Sequence, residues 1–186
     1  MTLGYVSLVL HAHLPFVRHP DRDDYLEERW LHEGVLECYL PLLESLERLA
    51  ADKVPFSLTL SLSPTLMAML DDPLLRARTR RYIEASVDLA DREVALLRGT
   101  PAQTVAEFYQ WKLRTLAHLY LEVYRQDLLT AFHNFAKAGY LDLITCAATH
   151  GFLPAYEGQP AAVRAQIRVA VDAFARRFGH APRGFW

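Results

Sequence analysis

Tyr5-Val-Ser-Leu-Val-Leu-His11-Ala-His13-Leu-Pro15 is the stretch on which the fold turns. Its first six residues are apolar and partly β-branched, the pattern of a short buried strand. The strand gives way abruptly to two histidines and is stopped by Pro15. The same design recurs downstream. Residues 56–62 (Phe-Ser-Leu-Thr-Leu-Ser-Leu) alternate with period two and lead into Ser63-Pro64. Residues 141–146 form a third apolar run, followed by Ala147-Ala-Thr149-His150-Gly151. Gly184-Phe-Trp186 has the character of the opening of a fourth strand.

Helical material fills the intervals. Val35, Tyr39, Leu42, Leu46 and Leu49 recur at helical spacing, with Pro41 predicting a kink or a helix start. A short helix is expected over residues 65–70. Asp72-Pro73 supplies an N-cap and an N1 proline for the next helix, which Gly99 can close. One long helix is predicted over residues 104–138. Its broad stripe runs through Val105, Phe108, Tyr109, Leu113, Leu116, Leu119, Tyr120 and Val123, and Gly139 marks the stop. A last helix over residues 160–178 carries Val163, Ile167, Val171, Phe174 and Phe178 on one face and ends at Gly179. Strands alternating with helices predict an α/β fold with parallel strands, and the long consecutive helices read as insertions into that rhythm.

Composition narrows the function classes. The 186 residues are 52% hydrophobic and carry 20 basic against 22 acidic side chains. That balance gives no reason to expect a nucleic-acid or membrane-surface partner. The basic run Arg76, Arg78, Arg80, Arg81 falls in a helical pattern with Glu84 and Asp88, and reads as a solvated helix face. Asp21-Arg-Asp-Asp24 reads as a polar loop. Cys38 and Cys146 are the two cysteines; their spacing predicts neither a disulfide framework nor a zinc knuckle. The apolar stretch at residues 5–10 is too short to span a bilayer, and a reducing, cytoplasmic setting is expected.

Parallel α/β folds gather the carboxyl ends of their strands on one side, where sites are built. Three strand ends here carry polar residues: His11 and His13, Ser61 and Ser63, Thr149 and His150. Alternation puts His11 and His13 on one face, where they can serve one ligand. H-x-H at the end of a first strand resembles the metal-dependent amidohydrolase barrels, yet Lys53, Lys112 and Lys137 all fall outside the predicted strands. Backbone hydrogen bonding at a strand end is the simpler role for either histidine. Thr149 and His150 could likewise satisfy loop backbone, while Gly151 beside them permits close approach of a substrate. Trp30, among Glu28, Arg29 and His32, is either a core anchor or a stacking platform for sugar rings. No phosphate loop, nucleophile elbow or Cys/His nucleophile pair is present. Asp142 sits near the start of its strand, away from that face.

Taken in order, these residues resemble glycoside hydrolase family 57 over essentially the whole chain. Val-Ser-Leu-Val-Leu-His-Ala-His-Leu-Pro-Phe-Val-Arg-His-Pro (6–20) is similar to the family's first motif. Glu27-Glu-Arg-Trp-Leu-His-Glu33, with Glu37-Cys-Tyr-Leu-Pro-Leu-Leu43 after it, looks like the helix of the family's 1,4-α-glucan branching enzymes. Residues 139–154 resemble the second motif, and Arg183-Gly-Phe-Trp186 resembles the lead-in to a third that continues W-L-P-E. Departures are mild: Asp142 stands in place of glutamate, and Phe16 and Phe152 in place of tyrosine.

The resemblance implies that residues 1–186 are the N-terminal portion of a (β/α)7 barrel with parallel strands and inserted long helices. It implies a retaining transfer of α-1,4-glucan to a 6-hydroxyl, with no cofactor and no metal, using two carboxylates. Both the nucleophile glutamate and the acid/base aspartate are expected beyond Trp186, so that the chain alone is inactive. His11, His13, Thr149 and His150 would contact the sugar and Trp30 would line the donor cleft. Amylase or 4-α-glucanotransferase activity is the alternative within the family, and a metal-dependent hydrolase using His11 and His13 the alternative outside it. The partner is an α-glucan, and an exposed barrel edge gives a route to self-association.

Overall fold

Three short strands, β1 (Val9–Ala12), β2 (Leu58–Leu62) and β3 (Leu141–Ile144), run parallel in the order β1-β2-β3. The computed structural model describes residues 4, 6–22 and 25–186. Tyr5 of the expected first strand, and Asp23 and Asp24 of the polar loop, lie outside the described residues. The register sets His11 beside Ser61 and Ser61 beside Ile144. The expected fourth position exists. Phe185 bridges Thr145 in parallel, and the Trp186 N–H donates to the Thr145 carbonyl at 2.8 Å.

β1 starts later than its hydropathy predicts, leaving Val6 and Leu8 exposed. Its partner β2 begins only at Leu58, three residues after Pro55, which has no N–H to extend a ladder. The strand therefore runs on through His11 and Ala12 instead of ending before them. Leu60 and Leu62 of β2 and Leu141 and Leu143 of β3 are buried. Ser61 and Ile144, on the opposite face, are buried as well, as expected for parallel strands covered on both faces.

Contacts divide the chain into two units. The first comprises Met1–Val17, Val54–Leu70 and Leu129–Trp186 and holds the sheet. Around its strands are α3 (Pro64–Asp71), α6 (Leu128–Lys137) and α7 (Pro160–Phe178). Leu66, Met69, Phe132, Ala170, Phe174 and Phe178 contribute their buried side chains. Gly179 closes α7 in the left-handed region at φ 82°. The apolar face expected for α7 is only half realised, since Ile167 stays exposed.

The second unit, Arg18–Lys53 and Asp71–Leu128, is helical. It contains α1 (Leu26–Glu33), α2 (Leu40–Ala51), α4 (Pro73–Leu96) and α5 (Gln103–His118). Pro41 stands in the first turn of α2, the helix start that the sequence predicts as one of its two outcomes. A π-helical turn over Gly34–Tyr39 precedes it, with the Leu40 N–H reaching back to the Val35 carbonyl, and this wider turn accommodates a ring that crowds the preceding carbonyls. Asp72 caps α4 as expected, its carboxylate accepting the Leu75 N–H at 3.0 Å, and Gly99 follows the helix at φ 76°. Asp91 on α4 ties α5 through Gln110 and Arg114, each at 2.9 Å.

Two expectations fail here. The single helix over residues 104–138 is two helices. A π-helical turn over Leu119–Val123 ends the first, and Arg125 and Gln126 both adopt positive φ before α6 begins. The chain passes from one unit to the other directly after that break, so a straight continuation gave way to tertiary packing. The basic run is also not a uniform solvated face. Arg80 pairs with Glu84 on the surface, but Arg78 is buried and donates to both Glu28 oxygens at 2.7 and 2.6 Å. Glu28 also accepts the His19 N–H and Arg78 donates to the His19 carbonyl, so the pair is hydrogen-bonded on several sides, as a buried charge pair requires. Both cysteines are free, Cys38 exposed and Cys146 buried. Among the described residues, no helix is long and apolar enough to cross a membrane.

Candidate functional site

Period-two alternation, carried past the strand ends, selects one face of the sheet. On it stand His11 and His13 from β1, Ser61 and Ser63 from β2, and Ile144 and Cys146 from β3. All belong to the first unit. The His150 ring packs against both β1 histidines, with centroids 4.6 Å from His11 and 4.2 Å from His13. Trp186 stacks near His11 at 6.1 Å. Two of the three strand ends read from sequence thus meet through their histidines, and the third enters through Ser63.

His13 is anchored and His11 is not. His13 Nδ1 lies 2.9 Å from Ser63 Oγ, which in turn lies 3.1 Å from Thr65 Oγ1. The Thr65 hydroxyl donates to the Leu14 carbonyl at 3.0 Å, and the Leu66 N–H donates to Ser63 Oγ. Neither nitrogen of His11 has a hydrogen-bond partner among the described residues, nor has the Ser61 hydroxyl beside it in register. Burial, then the neighbouring His150 and His11, pull His13 down to about 4. Burial and His150 lower His11 as well. These two imidazoles are neutral near pH 7, each offering one donor and one acceptor.

His150 reaches the cluster from a strained turn, at φ 57°. Its position is set by Gln166 of α7. The Gln166 side chain accepts the Thr149 N–H and donates to Thr149 Oγ1, both at 2.9 Å, and its backbone carbonyl accepts the Ala148 N–H. Thr149, expected as a sugar contact, is held to Gln166 through its N–H and its hydroxyl, with its side chain exposed. The closeness that Gly151 permits is to the Tyr156 ring, which a Cβ there would approach to 3.0 Å.

Trp30 lies in the second unit, on α1, and is exposed, so it is not a core anchor. Its polar neighbours turn inward instead: Glu28 to Arg78, and His32 to Thr79 Oγ1 at 2.8 Å. Sequence reading missed Thr65, Gln166 and Cys146 as parts of the site. The core-facing alternation of Leu141 and Leu143 does not reveal Cys146. Counting on from Ile144 does, because Cys146 shares that residue's face. Gln166 carried no such signal, being one polar residue at the edge of the apolar face of α7.

Chemically, the cluster offers imidazole donors and acceptors beside an indole face. That combination suits an uncharged, polyhydroxylated ligand better than a phosphate or other anion. The same side chains include a second possibility for coordination. Ligand atoms of His11, Cys146 and His150 all lie within 4.8 Å of one another, and among the described residues no carboxylate joins that group. His13 stands outside it, so the His11–His13 pair of the alternative metal reading is not the set that the geometry brings together.

This chain is similar in sequence and fold to several known proteins. A 1,4-α-glucan branching enzyme of Thermococcus kodakarensis is 31% identical over 98% of this chain and 26% of its own length. The α-amylase AmyC of Thermotoga maritima superposes with a TM-score of 0.93 at 37% identity, over 98% of this chain and 35% of that one. A branching enzyme of family 57 from Pyrococcus horikoshii gives 0.91 at 31%, over 98% and 34%. The chain thus spans about a quarter to a third of the length of these relatives, and its parallel strands are the N-terminal part of a (β/α)7 barrel. The sequence profile of glycosyl hydrolase family 57 matches residues 7–186, and the chain belongs to that family.

Proposed function

We propose that the protein acts on α-glucan as a 1,4-α-glucan branching enzyme and that this chain supplies part of its sugar-binding surface. The observation that carries the reading is the cluster of His11, His13 and His150 at the strand ends of a family 57 chain. His11, His13 and His150 donate to and accept from hydroxyls of a glucose residue. Trp186 offers it an apolar face, and Thr149 positions His150 through its bonds to Gln166. Trp30, exposed on α1, stacks on a glucan ring. Retaining transfer uses two carboxylates; the nucleophile glutamate and acid/base aspartate belong to the whole protein outside residues 1–186. The protein works in the cytoplasm, where two free thiols persist.

The test has two parts. Maltotetraose should bind the 186-residue chain by calorimetry, and His13→Ala or Trp30→Ala should weaken it, with no transfer or reducing-end release by the chain alone. The full-length protein should then convert amylose into product whose side chains are freed by a debranching enzyme. Amylase activity is the second reading, favoured by the 37% identity to AmyC. Reducing ends that accumulate without new branches decide for it.

A further inference from the structure

We propose that His11, His150 and Cys146 form a binding site for a thiophilic divalent cation of the zinc type, and that the cation inhibits this protein by occupying its sugar-binding histidines. The coordination rests on geometry. The competition with glucan rests on the function proposed above.

Three ligand atoms from two strand ends and the following turn already lie within 4.8 Å of one another. A four-coordinate zinc ion, with bonds of about 2.0–2.3 Å, needs its ligands roughly 3.5 Å apart. The adjustment falls to His150, which sits exposed on a turn before Gly151, whereas Cys146 is buried at the end of β3. His11 is ready to coordinate, because neither ring nitrogen is committed to another described group. His13 is committed to Ser63, so solvent fills the fourth position.

The donor set fixes the class of cation. One thiolate and two imidazoles select zinc or cobalt ions over magnesium and calcium, which need oxygen ligands. Cys146 is otherwise a buried thiol donating to the Ala147 carbonyl at 3.6 Å. On coordination its S–H bond breaks, the sulfur pair goes to the metal and the proton leaves to solvent. Nothing is oxidised or reduced. The cation then holds the nitrogen atoms that otherwise face sugar hydroxyls, so it opposes glucan binding instead of assisting it.

Titration of the metal-free chain with cobalt(II) chloride tests the site directly. The expected result is a single equivalent bound, with a near-ultraviolet thiolate-to-cobalt charge-transfer band and intense visible bands of four-coordinate cobalt. Cys38→Ser should keep the band and Cys146→Ser should abolish it. His150→Gln, at an exposed position, should weaken cobalt at least about tenfold. Absence of the band in the unaltered chain, or its survival in Cys146→Ser, overturns the site. If Cys146→Ser does not fold, unchanged cobalt affinity in His150→Gln overturns it instead.

Maltotetraose should bleach the band as it displaces the ion. A chain that binds maltotetraose without metal, yet keeps its cobalt band under saturating sugar, refutes the inhibition. A chain that fails to bind maltotetraose even without metal counts against the glucan reading, and the spectrum still decides the metal site.

Discussion

Single residues in this chain take their meaning from their neighbours across the sheet. Gln166 shows this best, because it touches no proposed ligand and yet fixes the turn that carries His150. Gln166→Ala removes two side-chain hydrogen bonds at an exposed site. The loss of global stability should stay near about 1 kcal/mol or below. Local release should be much plainer: the Thr149 amide should exchange faster with deuterium while amides of β2 keep their protection. Equal acceleration across the sheet would show that Gln166 supports the fold and not the turn.

His32 makes a different residue-scale prediction. It is buried on α1, bonded to Thr79, and burial lowers its pKa below 6.5 against the partly opposing effect of Glu28. Arg78 and Arg81 lower it further, and Glu33 raises it. The unfolded chain therefore takes up this proton more readily than the folded one. Its contribution to stability is full above pH 6.5 and is lost as pH falls through the folded value. In urea unfolding between about pH 7 and about pH 5, the unaltered chain should lose more stability than His32→Asn, which keeps a partner for Thr79 without titrating. Parallel pH profiles for the two would contradict this.

Elements were legible wherever their ends carry their own chemistry. Asp72-Pro73 predicts the start of α4, and Asp72 does cap it while also accepting from Arg18 at 2.6 Å. Asp72→Ala should cost about 1 kcal/mol, within roughly 0.5–2, read as a lower urea midpoint, and Asp72→Asn should recover part of the loss. Where ends lack such chemistry, sequence misleads. Tyr124-Arg-Gln-Asp127 contains neither glycine nor proline, so the break between α5 and α6 cannot be read from propensity. The apolar stripe of α5 is real in spacing, but Val105, Phe108 and Tyr109 stay exposed along a groove of about 710 Å³ bordered by α4 residues such as Leu89 and Ala90. Periodicity names a face and does not say what covers it. The histidine cluster was legible for the opposite reason: parallel strands bring their carboxyl ends to one side whatever the intervening helices do. Cys146 and Gln166 were not, since one looks like core and the other like surface.

At the scale of the molecule, the two units interleave along the chain. The first takes Met1–Val17, Val54–Leu70 and Leu129–Trp186, and the second takes the segments between. This order has a consequence for synthesis. A ribosome has delivered every residue of the helical unit once it reaches Leu128, whereas β3, α7 and His150 have yet to emerge. The helical unit can therefore fold on the nascent chain, while β1 and β2 wait for a third strand and its cover. Pulse-labelled nascent chains stalled with about 40 extra residues in the exit tunnel beyond Leu128 should already protect α1, α2 and α4 from exchange. Protection of β2 in those chains would reverse the order. On this account the histidines meet only after the helical unit has formed.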